Sequence, residues 1–153
     1  MSLLKPTTAS RFHIDFAWWQ KNDRDWRVFL RSLLCAEHQI TLADVAAEAH
    51  IDWIDPKTAE VHQVDAIRHA LMNHCALQPD FVDEHTTIVE AAFRLLLVNG
   101  NKPMTAVEFS KKLRRPADTI LRTLGGPRVY RGLRPVDESR AEEPAEPVAV
   151  PLP

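Results

Sequence analysis

The chain has 153 residues and a formal charge of −2, with 45% hydrophobic and 26% charged residues. That balance is ordinary for a globular protein and excludes collagen-like, fibrous and wholly disordered chains; the length fits one domain or two very small ones. Two cysteines are too few for a disulfide framework, the first ten residues lack a signal-peptide pattern, and no apolar run approaches a membrane span, so a cytoplasmic protein with reduced thiols and no membrane contact is expected.

Residues 1–11 show no periodicity and read as a loose arm. Phe12, Ile14 and Phe16 alternate with His13 and Asp15, the period of a short strand. Asp23 or Asp25 can cap a helix whose stripe is Trp26, Phe29, Leu30, Leu33 and Leu34, ending near His38. Thr41 and Asp44 form a capping-box pattern ahead of Val45, Ala46 and Ala49. Residues 51–64 predict a hairpin, with Asp55-Pro56-Lys57-Thr58 as its turn. Asp65 caps a further helix through Ile67, Ala70, Leu71 and His74, ending near Leu77. Residues 12–78 thus predict a small acidic α+β module with a β-hairpin.

Thr87-Ile-Val-Glu90 opens the next helix, whose face is Ile88, Ala91, Ala92, Leu95, Leu96 and Val98, and Asn99-Gly100-Asn101 stops it. Thr105-Ala-Val-Glu108 opens a second, from Ala106 to Leu113. Arg114 and Arg115 make a turn, and Pro116 suits the start of a third helix carrying Ile120, Leu121 and Leu124 inward before Gly125-Gly126. From Pro135 onward the composition turns acidic and proline-rich, and residues 137–153 predict a disordered acidic tail.

The spacing from Ser110 to Leu113, Ile120 and Leu124 resembles, without insertion, the helix-turn-helix of bacterial winged-helix regulators. Arg128-Val-Tyr-Arg-Gly-Leu-Arg134, alternating basic and apolar, resembles the strand or wing that follows such helices. Arg115 departs from the pattern, which usually has an apolar residue there; its stem can lie along the core while the charge reaches outward. The resemblance covers 86–134, about a third of the chain, and says nothing of residues 1–84. It implies a tri-helical module, with double-stranded DNA as partner and a transcription-associated role.

Charge distribution points the same way. Residues 1–100 carry nine lysines and arginines against fourteen carboxylates, residues 101–135 nine against two, and residues 136–153 one against five. A basic block between two acidic ones is the footprint expected of a phosphate-binding face. In this reading Asp118, Thr119 and Arg122 contact base edges from the third helix, Lys111, Lys112, Arg114 and Arg115 sit beside the backbone, and Arg128, Arg131 and Arg134 supply the wing. Any single lysine is better explained as part of a solvated helix face.

Other constellations weigh less. Cys35, His38, His74 and Cys75 have the ligand types of a zinc site, but adjacent His74 and Cys75 would point about 100° apart on a regular helix, so packed cysteines and no metal are expected. Asp65, His69 and His74 could suggest acid–base chemistry, yet no nucleophile motif or phosphate loop accompanies them, and no enzyme, catalytic residue or cofactor is expected. Trp18, Trp19, Trp26 and Trp53 all lie early in the chain. Adjacent Trp18 and Trp19 cannot both point inward from a regular element, and an exposed tryptophan can mark a protein-partner surface. The alternative reading is therefore a non-enzymatic adaptor built on the same tri-helical fold.

Overall fold

The computed structural model describes residues 5–43, 50–83 and 85–136. The expected tail at 137–153 and most of the helix expected after Thr41 lie outside these residues. Among the described residues the fold is α+β, with seven α-helices and two small antiparallel sheets.

Strand β1 (Arg11–Ile14) buries Phe12 and Ile14 on alternate positions, as the pattern predicts. It stops before Phe16 because the Asp15 carboxylate accepts the Trp18 N–H, capping helix α1 (Phe16–Asn22). This seven-residue helix was not foreseen. It turns Trp19 into the core and leaves Trp18 half-buried beneath the Arg134 guanidinium.

The helix expected from Trp26 to His38 is two helices, α2 (Trp26–Ser32) and α3 (Ala36–Thr41). Neighbouring Leu33 and Leu34, each only 5% exposed, lie at the junction. The chain unwinds there, Cys35 is extended (φ −66°, ψ 164°), and Gln39 Nε2 donates to the carbonyls of Arg31 and Leu34.

Strands β2 (His50–Ile54) and β3 (Val61–Asp65) form the expected hairpin, pairing Ile51 with Val64. Asp65 then accepts the N–H groups of Ile67 and Arg68 to start α4 (Ala66–Asn73), and it also pairs with Arg27 of α2. Where one helix was expected to run on to Leu77, α4 ends at Asn73. His74 adopts φ −138°, ψ −63°, and a 3-10 turn follows over Cys75–Leu77.

The second half contains α5 (Ile88–Val98), the two-residue strand β4 (Met104–Thr105), α6 (Ala106–Leu113), α7 (Ala117–Leu124) and β5 (Leu133–Pro135). Helix α5 closes in a Schellman arrangement: Asn101 N–H donates to Leu96 O and Gly100 N–H to Leu97 O, with Gly100 left-handed at φ 77°. Thr105 and Glu108 cap each other's orphan N–H groups at the start of α6.

The sheet order is β4-β1-β5, so the N-terminal strand lies between two strands of the second half. One hydrophobic cluster runs from Phe12 through Trp19, Leu30, Leu71, Phe93 and Phe109 to Leu133. The stretches 12–78 and 86–134, expected as separate modules, thus share a sheet and a core. No helix among the described residues is long and apolar enough to cross a membrane.

Gly132 carries the turn into β5. At φ +74° it favours glycine, and an added Cβ would lie 2.8 Å from Trp19 Cβ and 3.2 Å from Asp15 O. Neither obstacle is the free end of a flexible side chain. Gly132→Ala is expected to destabilise the fold by about 1–3 kcal/mol, read as a lower urea midpoint at unchanged slope. An unaltered midpoint would show that the turn relaxes freely.

Candidate functional site

Two breaks in helical structure face each other. The first, at Leu33–Cys35, makes Cys35 the N-cap residue of α3 and puts His38 on that helix. The second, at His74, lets the adjacent His74 and Cys75 aim at a common point. The divergence of about 100° expected for those two neighbours does not occur, because no regular helix connects them. One ligand atom from each of Cys35, His38, His74 and Cys75 lies within 4.8 Å of all the others.

The Cys35 sulfur is 3.3 Å from His38 Nδ1, 3.5 Å from His74 Nδ1 and 3.4 Å from the Cys75 sulfur. The Cys75 sulfur is 3.5 Å from His38 Nδ1. The two imidazole rings meet edge to face with centroids 4.4 Å apart. The far nitrogen of His74, Nε2, lies 3.5 Å from a Glu37 carboxylate oxygen. Cys75 is buried and the other three are half-buried. Burial, together with the neighbouring Cys35 thiol, pushes the Cys75 thiol up to about 11, so at neutral pH it stays protonated unless a cation draws off the proton.

The basic residues of the second half divide into two groups. Lys111, Lys112, Arg114, Asp118 and Arg122 are exposed on α6, the turn and α7, while Ile120 and Leu124 face inward from α7. Arg114 caps α6 in the left-handed conformation (φ 57°, ψ 41°), and the Ser110 hydroxyl donates to Arg115 O at 2.6 Å, fixing the turn between the helices. Arg115 is half-buried, and its guanidinium donates to Thr86 O at 3.5 Å. Thr119 is half-buried.

Arg131 and Arg134 are committed elsewhere. Arg134 donates to Asp15 at 3.1 Å, and Arg131 stacks on Phe29 with Asp23 at 3.9 Å, both toward the N-terminal half. Arg128 is exposed and lies over Tyr130. Of the expected wing segment 128–134 only Leu133 and Arg134 are in a strand, β5, and it pairs with β1 rather than with a local hairpin partner.

Asp65 serves as a helix cap and ion-pair partner, His69 Nδ1 meets the Asn73 amide at 3.3 Å, and His74 joins the two thiols. Burial lowers the His69 pKa, which favours its neutral form. Compared with protein-family models, curated proteins and solved structures, the chain matches none of them.

Proposed function

We propose that the chain is a double-stranded-DNA-binding, transcription-associated protein that docks through α6, the following turn and α7. The observation carrying this reading is the exposed face made by Lys111, Lys112, Arg114, Asp118 and Arg122. Among the described residues, none of its four cations is held in an ion pair. Cations free of carboxylate partners can neutralise phosphate and release its counterions, and the first turn of a helix in the major groove brings Asp118 and Thr119 to base edges with Arg122 one turn on. The order α5-β4-α6-α7-β5 supports the winged-helix resemblance, with β1 taking the central place in the sheet that a second wing strand would otherwise hold. Arg131 and Arg134 contribute less in this reading, since both are drawn toward acidic and aromatic groups of the first half.

The test is a salt titration of duplex binding by the full chain, because β4 and β5 share a sheet with β1 and α5–α7 share a core with the first half. Arg114→Ala is expected to weaken binding to all sequences alike and to make the salt dependence shallower by roughly one phosphate contact. Arg122→Ala is expected to cost about 1–3 kcal/mol and to change sequence preference. Neither substitution should alter the unfolding free energy by more than about 0.5 kcal/mol, since both side chains are on the surface. Absence of salt-sensitive affinity for any duplex would overturn the reading. It would favour instead an adaptor role, for which the β2–β3 hairpin offers exposed Ile54 and Val61.

A further inference from the structure

We infer that Cys35, His38, His74 and Cys75 bind a zinc ion as a closed, structural two-cysteine, two-histidine centre. With Zn–S about 2.3 Å and Zn–N about 2.0–2.1 Å, a regular tetrahedron has edges of about 3.8 Å between sulfurs and about 3.6 Å between sulfur and nitrogen. The observed sulfur–sulfur separation is 3.4 Å and the sulfur–nitrogen separations are 3.3, 3.5 and 3.5 Å. These four of the six edges match a tetrahedron that needs only a few tenths of an ångström of expansion around the ion, and the other two, His74 to Cys75 and His38 to His74, are within 4.8 Å.

A disulfide would engage the two cysteines alone and would give the imidazole nitrogens no reason to share their focus. Hydrogen bonding among thiols and imidazoles explains individual contacts, but not four ligand atoms grouped around one point. Thiolate and imidazole in tetrahedral array select zinc among the common divalent ions. Glu37 supplies a further mark: with Nδ1 of His74 turned to the sulfurs, Nε2–H faces its carboxylate, the partner that orients a metal-bound imidazole and raises its basicity.

The chemistry balances. Each cysteine loses its thiol proton to solvent on binding, the two thiolates cancel the charge of the dication, and both histidines bind neutral, so the site is uncharged. Four protein ligands leave no open position for water or substrate, so the ion acts as a staple. It joins the α2–α3 break to the end of α4, two points that no strand pairing connects. The inference is independent of the DNA-binding reading, and neither stands or falls with the other.

The full chain, produced with zinc in the medium and purified with reductant and without chelator, is expected to carry about one zinc per molecule by elemental mass spectrometry. After chelator treatment its melting temperature should fall. Titration with cobalt(II) alone should give the absorption of tetrahedral, thiolate-bound cobalt, which saturates at one equivalent and is displaced by zinc. Cys35→Ser and Cys75→Ser should lose the metal, and His62→Ala, outside the cluster, should keep it. His38→Cys should retain metal and shift the cobalt bands toward those of three thiolates, a result that misfolding cannot mimic.

If the serine variants fail to fold, the wild-type zinc content and cobalt spectrum still decide. A folded wild-type chain with no zinc and no tetrahedral cobalt spectrum overturns the site. So does stoichiometric zinc retained by a folded Cys35→Ser variant, or an intact mass showing Cys35 and Cys75 oxidised to a disulfide in the folded protein.

Discussion

Replacing Phe93 by alanine is expected to destabilise the protein by about 3–5 kcal/mol, a large share of the stability of a domain of this size. Phe93, on α5, is fully buried, and its ring meets Trp19 of α1 at 5.4 Å and Phe29 of α2 at 5.3 Å, both edge-on. Trp19 extends the group to Phe16 and Trp26. Truncation removes the ring's transfer energy and leaves a cavity between three helices whose backbones are fixed by other contacts. It also removes two T-shaped aromatic pairs, each worth about 0.5–1.5 kcal/mol beyond burial.

Since Phe93 joins the second half to the first, both halves should lose stability together. Denaturant unfolding followed by tryptophan fluorescence, which reports on the first half, and by far-ultraviolet circular dichroism should give coincident, equally shifted midpoints. A loss below about 1 kcal/mol, or two separated transitions in the variant, would show that the aromatic group is not the joint between the halves. Phe93→Leu should recover part of the loss, because it refills much of the volume without the ring pairs.

Asn101→Ala is expected to cost about 2–5 kcal/mol through polar groups rather than through a cavity. The Asn101 side chain accepts the Ile14 N–H and donates to the Ile14 carbonyl, each at 2.9 Å. It therefore acts as a strand neighbour for β1 at a position beyond the β1–β4 pairing, which covers only Arg11 with Thr105 and Phe12 with Met104. Ile14 is 1% exposed, so water cannot easily replace the lost partners, and each backbone group left unpaired costs about 1–3 kcal/mol. Alanine also suits the left-handed backbone at this residue, φ 62°, less well than asparagine does.

Asn101→Asp separates the two contributions. It keeps an acceptor for the Ile14 N–H but loses the donor to the Ile14 carbonyl, so its stability should fall between wild type and alanine. Equal unfolding midpoints for all three proteins would show that β1 does not depend on this clamp.

Local sequence accounts for much of the architecture. The caps at Asp65, Thr87 and Thr105, the stop at Gly100, and the hairpin across Asp55-Pro56 are short-range hydrogen-bonding and dihedral preferences, and each stands where the residues predict. The inward set of α7, Ile120 and Leu124, follows from helical periodicity in the same way. Periodicity misled where an element ends inside a run of apolar residues that continues its pattern. The chain leaves the helix at Leu33–Cys35 although the pattern reads as continuous, and Asp15 ends a strand whose alternation runs on to Phe16. The centre position of the three-stranded sheet is a long-range pairing that neither stretch encodes by itself.

The same distinction governs the two candidate sites. The exposed cations of α6 and α7 were legible because charge clustering and helix spacing are one-dimensional properties. The commitment of Arg131 and Arg134 to Asp23, Phe29, Asp15 and Trp18 was not, since those partners lie about 100 residues away in the chain. The metal-ligand types at Cys35, His38, His74 and Cys75 were visible as well, but straight helices would have scattered them. Their convergence depends on unwinding at Leu34–Cys35 and at His74: adjacent residues of a regular helix point about 100° apart, and only the breaks, which involve contacts between elements distant in sequence, turn four separated side chains toward one point.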